Sequence, residues 1–339
     1  MKAVAYQQSL EATDPLALQD ITLADPVAVG RDILVRVAAV SVNPVDTKIR
    51  KRVQPAPGEY KVLGWDAAGE VVAVGEDVSL FKPGDKVYYA GSLTRPGSNS
   101  ELQLVDERIA GVMPDNLSFA EAAALPLTAI TAWELLFDRL EIQQPGLKHP
   151  RPVLLVTGAA GGVGSILIQL ARQLTTATII ATASRPESKQ WVSELGAHYV
   201  LDHSQPLLPQ LQALDLSCVS HVASLTHTDQ HYAELVQLLA PQGKLALIDD
   251  PAAGIDIMPL KQKSISLHWE FMFTRAMFGT PDLQAQHQLL TDLSRLIQQG
   301  QIKTTLKQTL GTINAANLRS AHQLLESGKA IGKVVLQGW

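Results

Sequence analysis

The chain carries a single cysteine, Cys218, in 339 residues. Internal disulfides and any multi-thiolate zinc site are therefore excluded. Set between Leu216 and Val219, that thiol reads as a small core residue. Cations are in slight deficit, 28 Lys and Arg against 33 Asp and Glu, for a net charge of −5. This balance argues against nucleic acid or an anionic membrane as the main partner. No apolar stretch of about 18 residues stands out, so no membrane span is expected. The start, Met1 to Tyr6, goes straight into strand-like sequence without a signal-peptide core, as expected of a cytoplasmic protein. Basic runs, internal repeats and low-complexity tracts are absent too. What is left is an ordinary globular composition, 46% hydrophobic and 18% charged, at a length that suits two domains.

The most informative stretch is Val153 to Ala171. Val153–Val156 reads as a strand buried on both faces, and the apolar run Val163–Leu174 as a helix packed on a sheet. Between them Gly158, Gly161, Gly162 and Gly164, with Val163, form a turn where a pyrophosphate can approach the backbone and face the new helix's free N–H groups. Strand before and helix after are the context a dinucleotide-binding turn requires. The next strand, Ile179–Ala183, leaves as Ser184-Arg185-Pro-Glu-Ser-Lys189. A free ribose 2′-hydroxyl calls for an Asp or Glu at that strand end, whereas a 2′-phosphate calls for hydroxyls and cations. Ser184, Arg185 and Lys189 supply the latter, so the cofactor read from these residues is NADPH. The competing reading makes Arg185 and Lys189 solvated charges at a helix start.

Upstream, from Lys2 to about Val112, short strands alternate with turns. Asp32–Val42 is a strong strand, Val71–Val74 another, and Lys82–Asp85 a turn before Lys86–Tyr89, a spacing that suggests a barrel or sandwich. Ser118, with Glu121 three residues on, starts one helix, and Pro126 starts a second running to Phe137. Thr128 and Thr131, one turn apart, are either ligands to nicotinamide or ribose, or capping hydroxyls. Gln143–Pro152 is a polar loop. Downstream, strands at Tyr199–Leu201, His221–Ala223 and Lys244–Ile248 alternate with helices at Pro186–Leu195 and Asp229–Leu239. Such alternation predicts a parallel sheet with helices on both faces. A strand over Ser264–Phe273, a helix over Asp282–Gln298 and a strand over Lys329–Leu336 follow. His227 and His231 make an i,i+4 pair without a third ligand, and His149 and His203 have no partner at ligand spacing.

Asn43-Pro-Val-Asp46, Gly64-Trp-Asp-Ala-Ala-Gly-Glu70, Lys82-Pro-Gly-Asp-Lys-Val87, Leu125-Pro126 and Gly158-Ala-Ala-Gly-Gly-Val-Gly164 together resemble the medium-chain dehydrogenase/reductase superfamily, over essentially the whole chain. The resemblance implies an α/β fold with a GroES-like β-rich domain (1–124 and 279–339) and an inserted Rossmann domain with a doubly wound parallel sheet (125–278). Within the superfamily the chain is similar to the zinc-free quinone oxidoreductase branch, including bacterial proteins of the zinc-binding alcohol dehydrogenase family and enone oxidoreductases. Zinc alcohol dehydrogenases carry Cys-Gly-x-Asp at Asn43–Asp46 and Gly-His-Glu at Gly64–Asp66, and their structural-zinc cysteines have no counterpart in 91–101. No metal site is expected.

The resemblance further implies catalytic roles for Asn43, near the nicotinamide, and Lys48, a donor to the developing enolate, or else a solvated lysine beside Arg50 and Lys51. It places His203 near the adenosine phosphate, Phe271 to Phe273 along the nicotinamide, and Lys333 near the cofactor. A surface imidazole and core aromatics are the competing readings for His203 and the two phenylalanines. The implied reaction is hydride transfer from NADPH to a small hydrophobic quinone or α,β-unsaturated carbonyl. The alternatives are a zinc-type alcohol dehydrogenase and an NADPH-binding module with little turnover. A homodimer is expected through the edge strand at Ser264–Phe273.

Overall fold

A computed structural model describes residues 1–142 and 152–339. His149 and nearly all of the expected loop at Gln143–Pro152 lie outside the described residues. The chain divides into two compact units, Met1–Ile130 with Phe273–Trp339, and Thr131–Met272. These divisions fall inside the helix that starts at Pro126 and just after Met272, rather than at 124 and 278.

The first unit is built on Asp32–Val42, an eleven-residue strand buried along most of its length. It pairs antiparallel with Asp66–Val74, Leu102–Asp106 and Lys333–Gln337. The sheet continues outward through Lys86–Ala90 to Ala110–Val112 on one side and ends at Leu306–Thr309 on the other. A second, three-stranded sheet runs Gln19–Thr22, Lys2–Tyr6, Lys61–Val62. Several elements here, Leu306–Thr309 among them, were not read from the sequence or were read differently. The helix Pro44–Arg52 has almost no apolar periodicity, only capping signals: Asn43 at the cap, Pro44 in the first turn, Asp46 at the third position and basic residues in the last turn. The helix Ala315–Glu326 is likewise present, and the last strand is Lys333–Gln337 rather than one starting at Lys329. The expected capping box of Ser118 and Glu121 is formed.

In the second unit six parallel strands run in the order Tyr199–Leu201, Thr178–Thr182, Val153–Thr157, Val219–Ser224, Leu239–Leu247, Ser266–Trp269. Numbered along the unit this order is 3-2-1-4-5-6, so the winding reverses beside Val153–Thr157, the place where such sheets take ligands. The helix Gly162–Leu174 buries Ile166, Leu167, Ile168 and Leu170 completely. At about 1.5–3 kcal/mol per fully buried aliphatic side chain, that face holds the glycine turn against the sheet.

Two expectations fail in this unit. The segment Ser264–Phe273 is strand only from Ser266 to Trp269, since Ser264 takes a left-handed conformation after a 3-10 turn over Met258–Lys263. Second, the α-helix from Pro126 ends at Trp133 and continues to Arg139 with π-type spacing. Arg139 there holds Glu270 at 2.9 Å. Burial, reinforced by the neighbouring Glu134 carboxyl, pushes Glu270 well above the carboxylate range. The helical run Phe119–Arg139 is long and apolar enough to cross a membrane, contrary to the sequence expectation. Yet 83% of its most apolar window is buried inside the protein, so its apolar surface serves the core.

Candidate active site

In the first unit the Asn43 segment closes on a buried charge cluster. Asn43 ends the strand Asp32–Val42 and begins the helix Pro44–Arg52, while Asp66 opens the neighbouring strand. Lys333 enters from the start of the last strand. Its ammonium lies 3.0 Å from Asp66 Oδ2 and donates to Asn43 Oδ1 and, at 3.4 Å, to the Val42 carbonyl. Asn43 Nδ2 donates to Asp66 Oδ2 at 3.1 Å and to the Ser41 carbonyl at 3.2 Å. The other Asp66 oxygen accepts the Leu127 backbone N–H at 3.0 Å, tying in the first turn of the helix from Pro126. Asp46 accepts the Asn43 N–H at 2.6 Å and the Gly64 N–H at 3.0 Å. Burial pushes Asp46 up to about 7, with the Asn43 N–H and the Lys333 charge acting against it. Burial also raises Asp66, opposed chiefly by Lys333. All four side chains are nearly inaccessible to solvent.

This geometry gives two of the expected site residues partners within the core. The Lys333 ammonium has three protein acceptors in the core and is the counter-ion of Asp66. The Asn43 amide has both carbonyl and N–H groups engaged within the cluster, which makes it a positioning group for the start of the helix. Lys48 lies half-buried on that same helix. Trp65, at the position of the zinc enzymes' histidine, donates its indole N–H to the Ser92 carbonyl at 3.0 Å and meets Phe273 edge to face at 6.1 Å. Phe273 is buried; Phe271, in the other unit, is 46% exposed, so the core packing read for it does not hold. Thr128 is buried, and its hydroxyl donates back to the Leu125 carbonyl at 3.1 Å. Thr131 is buried on the same helix.

In the second unit the glycine turn sits at the carboxyl end of Val153–Thr157, with Gly161 as cap and Gly162 and Val163 opening the helix. Gly158 has φ +63°, a conformation side chains rarely adopt. At Gly164 a Cβ would lie 2.4 Å from the Ala159 carbonyl oxygen, so glycine is what lets the helix start against the turn. Ser184 and Arg185 follow the strand Thr178–Thr182, Arg185 being exposed at the cap of the helix Pro186–Glu194. Lys189, one turn in, is ion-paired with Asp202 at 2.8 Å. Asp202 was not singled out from the sequence. Its carboxyl is held well below the usual range by Lys189 and by two hydrogen bonds from Ser204. It stands at the end of the third strand, not the second, where the ribose-binding acid of NAD enzymes belongs. His203 follows it, exposed.

A β-rich unit joined to a parallel sheet wound 3-2-1-4-5-6, with a glycine turn at its reversal point, defines a dinucleotide-dependent dehydrogenase or reductase. The profile of the alcohol dehydrogenase GroES-like domain matches residues 30–132, and that of a zinc-binding dehydrogenase matches residues 195–336. A zinc-type alcohol dehydrogenase-like protein of Staphylococcus aureus is 40% identical over 338 residues, 99% of each chain. The crystal structure of a candidate zinc-dependent alcohol dehydrogenase from Rhizobium etli superposes with a TM-score of 0.97 at 56% identity, covering 100% of this chain and 98% of that one. The Escherichia coli quinone oxidoreductase in complex with NADPH superposes with a TM-score of 0.84 at 26% identity, covering both chains fully. The chain belongs to the medium-chain dehydrogenase/reductase superfamily, in its quinone oxidoreductase-like branch, and is an oxidoreductase of that superfamily.

Proposed function

We propose that the protein is an NADPH-dependent reductase of quinones or α,β-unsaturated carbonyl compounds that works without zinc, as a homodimer. The observation that carries this reading is the chemistry of the Asn43–Asp66–Lys333 cluster. Zinc, which the names of several relatives suggest, needs converging nitrogen, sulfur or carboxylate donors. At the corresponding positions stand a fully engaged amide, a donor-only indole and a carboxylate ion-paired with an ammonium. Among the described residues no group of three His, Cys, Asp or Glu is placed to hold a metal. These residues do not fit zinc.

They do fit a dinucleotide. The Gly158–Gly164 turn and the N-terminus of Gly162–Leu174 suit the pyrophosphate, and Ser184 and Arg185 suit a 2′-phosphate. Bound there, NADPH would supply a hydride. Adding it to a carbonyl acceptor develops negative charge on the oxygen, which needs a donor in place beforehand. Without a Lewis acid, an acceptor that spreads this charge by conjugation is favoured over a simple ketone or aldehyde. Since Asn43 and Lys333 are engaged with each other, Lys48 is the side chain assigned to donate to the enolate or quinol oxygen, on a helix whose start Asn43 and Asp46 fix. The exposed indole of Trp269 on the sheet's edge strand suits pairing with a second copy.

The deciding experiment is steady-state kinetics with NADPH and NADH on a short panel of quinones, enones and alcohols, alongside metal analysis of the purified protein. NADPH-dependent reduction of conjugated acceptors without bound zinc is expected. Stoichiometric zinc with activity lost on chelation would overturn the reading. Lys48→Met should lower kcat on an enone by about 10²–10⁴-fold, the usual worth of a positioned proton donor, and wild-type turnover would remove Lys48 from the mechanism.

A further inference from the structure

Three imidazoles gather in the second unit, and neither the glycine turn nor the hydride chemistry uses them. His203 follows the strand Tyr199–Leu201, His227 caps the helix Thr228–Leu238, and His231 lies in that helix's first turn. The rings of His203 and His231 meet edge to face with centroids 6.2 Å apart. His227 is held in left-handed backbone at φ +53° at the start of its helix. Its Nδ1 lies 2.8 Å from Thr226 Oγ1. Thr226 in turn abuts the glycine turn, because a Cβ on Gly158 would fall 2.7 Å from its methyl carbon. The loop carrying His227 therefore lies against the turn expected to hold the pyrophosphate.

The strand before His203 pairs in parallel with Thr178–Thr182, whose carboxyl end leads to Ser184 and Arg185. His203 therefore emerges beside the strand end where the adenosine ribose of a bound dinucleotide sits. The groups that act on His203 are the imidazoles of His231 and His227, the Lys189 ammonium and the Asp202 carboxylate. Partial burial and the first three hold the ring in its neutral form below the ordinary histidine range, with Asp202 opposing. Lys189 is already paired with Asp202. Basic groups thus outnumber the carboxylate, and no set of three metal ligands is placed there among the described residues. A dianion is the ligand that would complete this arrangement.

We propose that His203, packed against His231 with His227 closing the same corner, reads the adenosine 2′-phosphate by taking up a proton as it docks, so that the preference for NADP(H) over NAD(H) grows as pH falls toward 6. The inference rests on the NADPH reading and extends it to cofactor discrimination. A ring that is neutral in the free protein becomes a charged donor beside the phosphate dianion, whose own second pKa near 6 sets the lower limit of the effect. Each proton taken up in full corresponds to about tenfold in affinity per pH unit, by linkage.

Isothermal titration calorimetry of the full chain tests this, with NADP⁺ and NAD⁺ in two non-phosphate buffers of different ionisation enthalpy, from pH 6.5 to 8. NADP⁺ binding should take up about half a proton or more near pH 7 and NAD⁺ binding none. The NADP⁺/NAD⁺ affinity ratio should rise by about tenfold as pH falls from 8 to 6.5. His203→Gln and the His203→Gln/His231→Gln pair, both of them substitutions of accessible side chains, should reduce the uptake and flatten the pH dependence. Preferential NADP⁺ binding with no uptake, or with uptake unchanged in the pair, would overturn this inference and leave the NADPH reading standing. NADP⁺ binding no tighter than NAD⁺ at every pH would overturn both.

Discussion

Replacing Lys333 by methionine should destabilise the first unit by about 3–5 kcal/mol, the usual cost of removing one member of a buried ion pair. The methionine keeps the length and the apolar stem, so the loss is electrostatic rather than a packing defect. What remains is Asp66 in the core, with the Leu127 N–H and the Asn43 amide as donors but no opposing charge. Asp66→Asn leaves the complementary fault, a buried ammonium whose acceptors are Asn43 and the Val42 carbonyl. The double variant buries neither charge, so its cost should fall short of the sum by about 2–3 kcal/mol, a coupling typical of groups in direct contact. Urea unfolding at pH 7.5 of the wild type, both single variants and the pair provides the cycle. Because burial raises Asp66, the deficit of Lys333→Met should also shrink as pH is lowered and that carboxyl is protonated. Single variants costing less than about 1 kcal/mol, or strict additivity in the pair, would refute the assignment of Lys333 as the counter-ion.

His322, on the helix Ala315–Glu326, is buried with both ring nitrogens unpartnered, and burial together with the Arg50 cation pushes its pKa down to about 3. The unfolded chain takes up that proton near pH 6.5 and the folded one does not, so stability is full above 6.5 and falls as pH drops toward 3. The loss amounts to about 2 kcal/mol at pH 5. In His322→Leu the stability difference between pH 7 and pH 5 should shrink by that amount, as read by urea midpoints; an unchanged difference would contradict it. Gly164→Ala should cost about 1–3 kcal/mol through overpacking against the Ala159 carbonyl and should weaken dinucleotide affinity, checked by thermal unfolding and by cofactor titration.

The parallel sheet and the glycine turn were legible because their signals are local. An apolar run of four or five residues, a glycine that must take positive φ, and a cap three residues ahead of an acid are each recorded within a few positions. The helix Pro44–Arg52 was equally recorded, but in its caps, with Asn43, Pro44 and Asp46 at one end and Arg50, Lys51 and Arg52 at the other. Apolar periodicity, the usual guide, is nearly silent there because the helix buries Asp46, Thr47 and Arg50 instead of aliphatic residues.

By itself, then, the order of residues determined the two kinds of unit, the glycine turn, and an asparagine and a tryptophan at the positions where zinc alcohol dehydrogenases carry cysteine and histidine. Only the tertiary structure decided what Asn43 and Asp66 pair with. Lys333 and Asp66 are 267 positions apart, and a buried charge takes its partner from whichever strand packs beside it, however distant in the chain. The same is true of Lys189 and Asp202, and of His203 beside His231. Their meeting is a consequence of strand order, and no spacing along the chain encodes it.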